Sequence, residues 1–188
     1  MSEFAARLLD IVTDPVALQH LREPIRLASG EMSRDFIDAK VAVDDPDDLD
    51  FVGRAMVAAA RHANVEFDAV GGVVLGAVPF TFAVAGVARC KWFLIRKEPK
   101  GRGTNRWIEG ARIIAGMRVL LVEDVVTTGG SIRDAYERVG LEGGNVVFAT
   151  TLVDRGDEAA GFFAGVGVPY IPMLTYDDLG IEPVGRPG

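Results

Sequence analysis

The sequence predicts an α/β domain in which a central, mostly parallel sheet is flanked by helices, with a small hood at the N-terminus. Three observations carry that expectation. Apolar runs alternate with helical stretches from residue 67 to residue 153, as strand-helix-strand units do. Such units set parallel strands side by side through right-handed crossovers. A Ser-Gly turn at residues 29–30, with irregular alternation on both sides, stands outside this pattern and predicts a hairpin-like hood. A length of 188 residues suits one domain with a sizeable core. Residues 1–45 are expected to form the hood region, 46–180 the α/β core, and 181–188 a Pro/Gly-rich tail that frays.

Residues 3–12, EFAARLLDIV, space Phe4, Leu8, Leu9 and Ile11 as one helical face. Asp14-Pro15 is expected to open a second short helical piece through Leu21. Short strands should flank the 29–30 turn. Pro46 starts a helix through Ala63, and Asp47 and Asp48 in its first turn suit the helix dipole. Residues 67–88 predict a strand, a Gly-containing loop and a helix, and residues 90–97 predict a second strand. The stretch EPKGRGTNRWIEG, residues 98–110, has no periodicity and predicts a long loop of the kind that is usually functional or mobile. After residue 141 come a strand over Val146–Val153, Arg155 just past its end, and a short helix through Phe162 and Phe163. A final strand over Val168–Leu174 is interrupted by Pro169 and Pro172, which predicts an edge position.

The most informative stretch is 118–131, RVLLVEDVVTTGGS. Val119–Val122 is an uninterrupted apolar run, the mark of a strand buried on both faces. Glu123 and Asp124 follow, then Thr-Thr-Gly-Gly-Ser, then an amphipathic stretch over Ile132–Leu141. The acids therefore stand at the carboxyl end of a strand and the glycines at a helix N-terminus. Free N–H groups and the dipole there favour an anion such as phosphate. Two adjacent carboxylates repel phosphate but suit hydroxyls, or a metal carried by a ligand. A sugar phosphate satisfies both halves; a plain strand-turn-helix corner with a solvated acidic pair is the alternative. Ligands of parallel sheets bind beyond the strand carboxyl ends, where residues 71–79, 97–109, 123–131 and Arg155 converge.

Composition narrows the classes of function. A net charge of −7 argues against bulk binding to nucleic acid or anionic membrane. Yet residues 89–118 carry Arg89, Lys91, Arg96, Lys97, Lys100, Arg102, Arg106, Arg112 and Arg118 against only Glu98 and Glu109, which points to a small polyanionic ligand. The lone Cys90 excludes an internal disulfide and suits a reducing cytoplasm. His20 and His62 sit in no cluster with ligand spacing, so no zinc or iron site and no Ser-His or Cys-His catalysis is expected. Glu3, Arg7 and Asp10 break any signal-peptide core. Residues 69–88 carry no charge, but they divide into strand, loop and helix with several glycines and a proline, so no membrane span is expected.

VLLVEDVVTTGGS resembles the 5-phosphoribosyl-1-pyrophosphate (PRPP) signature of the type I phosphoribosyltransferases. The resemblance implies that fold. It assigns Glu123 and Asp124 to the ribose hydroxyls and Val125, Val126, Thr127, Thr128, Gly129, Gly130 and Ser131 to the rest of PRPP, with the 5′-phosphate on 127–131. RKEPKGRG followed by IEG, residues 96–110, is similar to the catalytic loop of the orotate phosphoribosyltransferases. In that family the loop's basic residues meet pyrophosphate, often across a homodimer interface. The resemblance thus assigns Arg96, Lys97, Lys100 and Arg102 to the leaving group, and Lys100, Arg102 and Asp124 to catalysis. Arg102 stands where the family commonly has histidine; it keeps the charge but cannot donate a proton near neutral pH.

Three further stretches are similar to the orotate enzymes. LASG at 27–30, with Phe36, Ile37 and Asp38, looks like the hood over the base, with Ala28 where some members have lysine. GGVVLGAVP at 71–79 looks like the pyrophosphate loop of Val74, Leu75 and Gly76, where Gly76 replaces a lysine of some members and a cis peptide is expected at about Val74-Leu75. Arg155 in LVDR looks like the arginine that pairs with the base, and a guanidinium fork suits orotate's carboxylate. Thr127 would also border the base. Taken singly, 28–30 could be a plain turn and Arg155 a surface ion pair with Asp154 or Asp157. Together these stretches imply transfer of a phosphoribosyl group from PRPP to orotate, with Mg²⁺ carried on PRPP oxygens, in a cytoplasmic homodimer with no nucleic-acid or membrane partner. The alternatives are a phosphoribosyltransferase for another base, or a non-catalytic PRPP-sensing regulator that binds RNA. A small nucleotide-binding oxidoreductase is disfavoured because no G-x-G-x-x-G follows a strand.

Overall fold

A computed structural model describes residues 2–98 and 107–185. Helix α1 (Ser2–Val12) opens the chain. Strands β1 (Leu18–Arg26) and β2 (Met32–Ile37) then pair antiparallel as a separate two-stranded sheet, the expected hairpin. The helical piece expected from Pro15 to Leu21 does not form. The Asp14 side chain accepts from the Val16 N–H at 2.8 Å, and its carbonyl accepts from Ala17 and Leu18. This closes a turn that feeds Leu18 directly into β1. Pro24 lies in the irregular part of the pairing between His20 and Ile25, where a missing N–H costs no ladder bond.

A short helix α2 (Ala39–Ala42), absent from the sequence expectation, leads to α3 (Pro46–His62). The Asp45 carboxylate caps α3 by accepting from the Asp47 N–H at 2.8 Å. Then come β3 (Ala69–Val73), α4 (Val78–Ala88), β4 (Lys91–Ile95), β5 (Ile108–Gly110), β6 (Arg118–Val126), α5 (Gly130–Leu141), β7 (Asn145–Asp154), α6 (Glu158–Gly165), β8 (Tyr170–Thr175) and α7 (Tyr176–Leu179). The main sheet runs in the order β5-β4-β3-β6-β7-β8. Every pairing in it is parallel except β4 with β5. Strand β8 is at the edge, where Pro172 within it is tolerated. Strand β5 lies inside the stretch expected to be wholly loop: it is three residues long and has no period to read.

The long apolar run of β6 follows from burial on both faces. Leu120 and Val122 join a core with α1, α3 and α4, while Val119 and Leu121 join a second core with α5 and α6. The chain leaves β3 toward β4 on one side and returns to place β6 on the other. The reversal point therefore lies between β3 and β6, and the loops after these two strands flank one crevice.

Candidate active site at the sheet's reversal point

The crevice holds a cavity of about 500 Å³. Its lining brings together Phe36 and Ile37 of the hood, Val74 and Gly76 after β3, Lys97 after β4, residues 123–131, and Arg155 after β7. Segments more than a hundred residues apart thus meet on one surface. Two expected residues fall elsewhere. The Leu75 side chain is 72% exposed and does not line the cavity, because the turn after β3 sends alternate side chains outward. Arg96 is also absent from the lining: its guanidinium meets Glu109 at 2.8 Å and the Glu98 carbonyl at 3.3 Å. Lys100 and Arg102 lie outside the described residues. The peptide between Val74 and Leu75 is cis, as expected.

Strand β6 carries Glu123 and Asp124 within its last four residues, so the acids are held by sheet pairing rather than by a loop. Glu123 is 5% exposed; its Oε1 accepts from the Asp124 N–H at 3.2 Å, while the buried Oε2 has no partner among the described residues. Burial pushes the Glu123 carboxyl well above the ordinary range, and the neighbouring Asp124 adds to this while Lys97 opposes it. Thr151 of β7 donates its hydroxyl to the Asp124 carbonyl at 2.9 Å and so steadies the backbone behind the acids. Asp124 is also pressed against the β3 loop. A Cβ on Gly76 would overlap the Asp124 carboxylate, so only glycine fits there while that carboxylate keeps its place. This gives a local reason for glycine at position 76.

The suitability of 127–131 for an anion comes from what its helix lacks. Gly129 occupies the N-cap of α5 with φ of 72°, and no side chain caps the helix. The first backbone N–H groups of α5 therefore face the cavity beside Thr127, Thr128 and Ser131, a site suited to an anion.

Arg155 is not a surface ion pair. It is 1% exposed, and it donates to the Asp35 carbonyl at 2.8 Å, the Ser33 hydroxyl at 3.0 Å and the Glu182 carbonyl at 3.4 Å, while its Nε has no partner among the described residues. Burial pulls its guanidinium below the ordinary value, and nearby Asp35 pulls the other way. A buried cation held mainly by neutral oxygens is electrostatically under-compensated, so this end of the cavity suits an anionic group. Ser33 and Asp35 were not singled out from the sequence, although the buried positions Ser33, Asp35 and Ile37 alternate along β2. The tail expected to fray from Gly180 is ordered at Val184, which is buried and donates its N–H to the Arg155 carbonyl.

Comparison with known proteins accords with this geometry. The model of the phosphoribosyl transferase domain family matches residues 44–160. The orotate phosphoribosyltransferase of Methanothermobacter thermautotrophicus is 38% identical over 176 residues, covering 94% of each chain. That of Thermococcus gammatolerans is 35% identical over 179 residues, covering 95% of this chain and 93% of the relative. Among solved structures, orotate phosphoribosyltransferase of Mycobacterium tuberculosis H37Rv in complex with PRPP superposes with a TM-score of 0.71 at 31% identity, covering 96% of this chain and 98% of the other.

Proposed function

The chain belongs to the orotate phosphoribosyltransferase family, and from that premise we propose that it transfers the 5-phosphoribosyl group of PRPP to orotate, releasing pyrophosphate and orotidine 5′-monophosphate, a step of pyrimidine biosynthesis. The observation that carries the reading is the single cavity in which an acidic pair, an uncapped helix N-terminus and a buried arginine face one another. Its dimensions and order suit ribose, 5′-phosphate and an anionic base.

The reaction breaks the bond between the anomeric carbon and pyrophosphate and joins that carbon to a ring nitrogen of the base. The sugar passes through an oxocarbenium-like state, as in glycoside chemistry. Asp124 and Glu123 accept hydrogen bonds from the ribose hydroxyls. The amides and hydroxyls of 127–131 hold the 5′-phosphate, which fixes the sugar for attack. Val125 and Val126 complete the PRPP wall. Lys97, with Lys100 and Arg102 beyond it, supplies positive charge where the leaving group develops negative charge. Arg96 joins this group on leaving Glu109. Backbone groups of Val74, Leu75 and Gly76 stand in for the side chain that Gly76 lacks. Phe36, Ile37, Thr127 and Arg155 enclose the base, and the hood excludes water.

Among the described residues no group of three or more His, Cys, Asp or Glu is arranged to hold a metal. Mg²⁺ would arrive on PRPP oxygens beside Glu123 and Asp124 and would supply positive charge to the leaving pyrophosphate. A homodimer is part of the proposal. Helix α4 carries no charged residue, and Phe82 (43% exposed) stacks edge-on against Trp92 (39% exposed) at 4.8 Å. That apolar face suits burial against a second copy that shares the basic loop across the interface. No helix among the described residues is long and apolar enough to cross a membrane, and the lone thiol suits a reducing cytoplasm.

The test is a panel of bases with PRPP and Mg²⁺. Orotate should be the base that releases pyrophosphate. Turnover of uracil or hypoxanthine but not orotate assigns another base. PRPP binding without turnover under any base favours an RNA-binding regulator. Within the orotate reading, Lys100→Ala should lower turnover strongly and leave the fold unchanged.

A further inference from the structure

We propose that residues 181–185 act as a strap that positions Arg155 for the base, a role that rests on the orotate-transfer reading. The hairpin hood packs only sparsely on the main sheet. Its polar tie to the core is the buried Arg155, held by the Asp35 carbonyl and the Ser33 hydroxyl. The strap adds to this hold. The Glu182 carbonyl accepts from an Arg155 guanidinium nitrogen at 3.4 Å, and the Val184 N–H donates to the Arg155 carbonyl at 2.6 Å. Side chain and backbone of one residue are thereby gripped by the same short segment.

The strap is seated by close packing. Val184 is 6% exposed, though it lies beyond the last helix. A Cβ on Gly156 would stand 2.7 Å from both the Val184 carbonyl and the Thr127 carbonyl. Only glycine at 156 lets the strap run that close to the turn that begins the phosphate loop. These contacts leave Nε of Arg155 as a buried donor without a partner among the described residues. Hood and strap thus engage both terminal nitrogens and fix the plane of the guanidinium, and the base meets Nε. Arg155 touches substrate; Val184 acts through it and is a positioning residue.

The test compares the full chain with a chain lacking residues 181–188, with Val184→Asp, and with Val184→Ile as the conservative variant. KM for orotate, KM for PRPP, thermal midpoint and the exchange rate of the Arg155 Nε–H proton by NMR are measured on each. Losing the hydrogen-bonded grip on a charged group should raise KM for orotate about tenfold or more. KM for PRPP should change by less than about threefold, since the strap makes no hydrogen bond to the amides and hydroxyls of 127–131. The Nε–H proton should exchange faster in both disrupted forms, and Val184→Ile should restore wild-type values. Should either disrupted form fail to fold, Val184→Ala carries the same test with a smaller rise in KM for orotate. A lowered thermal midpoint with both KM values and proton exchange unchanged overturns the proposal, as does an equal rise in both KM values. If the wild-type chain does not turn over orotate, the functional reading fails; the exchange measurement, which needs no substrate, still decides whether the strap holds Arg155.

Discussion

Replacing Gly76 with alanine should disable the sugar site without unfolding the protein. The added Cβ would stand 2.6 Å from Asp124 Oδ1 and closer to Oδ2 and Cγ, inside the 3.0 Å below which real Cβ contacts are not seen. Asp124 cannot absorb this through its backbone, which is fixed by pairing in β6 and by the Thr151 hydroxyl. The carboxylate must therefore swing away by roughly an ångström, and a misplacement of that size in a positioning group costs about a hundredfold in rate. The equivalent is ~2.7 kcal/mol of transition-state stabilisation. Crowding outside the two apolar cores should cost about 1 kcal/mol of stability, at the low end for overpacking, or a few degrees in thermal midpoint. The assay is kcat/KM for PRPP at saturating orotate, with thermal melting beside it. In an Asp124→Ala background the same substitution should cost almost nothing, because the group it displaces is gone. A Gly76→Ala enzyme within threefold of wild-type kcat/KM would refute the reasoning, and so would a full hundredfold loss in the Asp124→Ala background.

Glu123→Gln should stabilise the free protein while lowering activity. Burial raises the folded-state value of this carboxyl above the ordinary 4.5, so its contribution is fully present below 4.5 and is lost as pH rises through the raised value. The stability advantage of the variant in urea unfolding should therefore grow from pH 4 to pH 8; an advantage that is constant with pH contradicts it. Arg155→Lys should raise KM for orotate at least tenfold with little change for PRPP, since a single ammonium cannot satisfy the Asp35 carbonyl and the Ser33 hydroxyl as a planar fork does. Equal effects on both substrates would argue against a base-site role. Arg118 holds Asp68 down at about 2 through paired hydrogen bonds at the start of β6. A depressed carboxylate contributes above its unfolded value of 3.8 and ceases to do so as pH falls toward 2. Arg118→Ala should thus lower stability at pH 6 more than at pH 2, and the opposite ordering would refute the assignment.

Much of this was legible in the sequence, for identifiable reasons. The unbroken apolar run at 119–122 is what double-sided burial demands, and it located the central strand. The acids at its carboxyl end and the glycines after it mark where the apolar run gives way to a site. Pro169 and Pro172 located the edge strand. The misses share a cause. Residues 18–21 join a strand because β2 is there to pair with, and local pattern carries no trace of a partner fifteen residues on. Strand β5 is too short to show a period. The ordering of Val184 depends on a groove formed by residues 127 and 156, so its composition alone suggested fraying. Arg96 and Leu75 were assigned by position along the chain, and side-chain direction within a turn is not readable from spacing.

The central claim is that the cavity between β3 and β6 transfers phosphoribosyl to orotate. Its most direct test is pyrophosphate release by the purified chain with PRPP and Mg²⁺, measured with and without orotate. The account predicts release that requires orotate and yields orotidine 5′-monophosphate in equal amount. PRPP consumption that is independent of orotate, or release that requires another base instead, would contradict it.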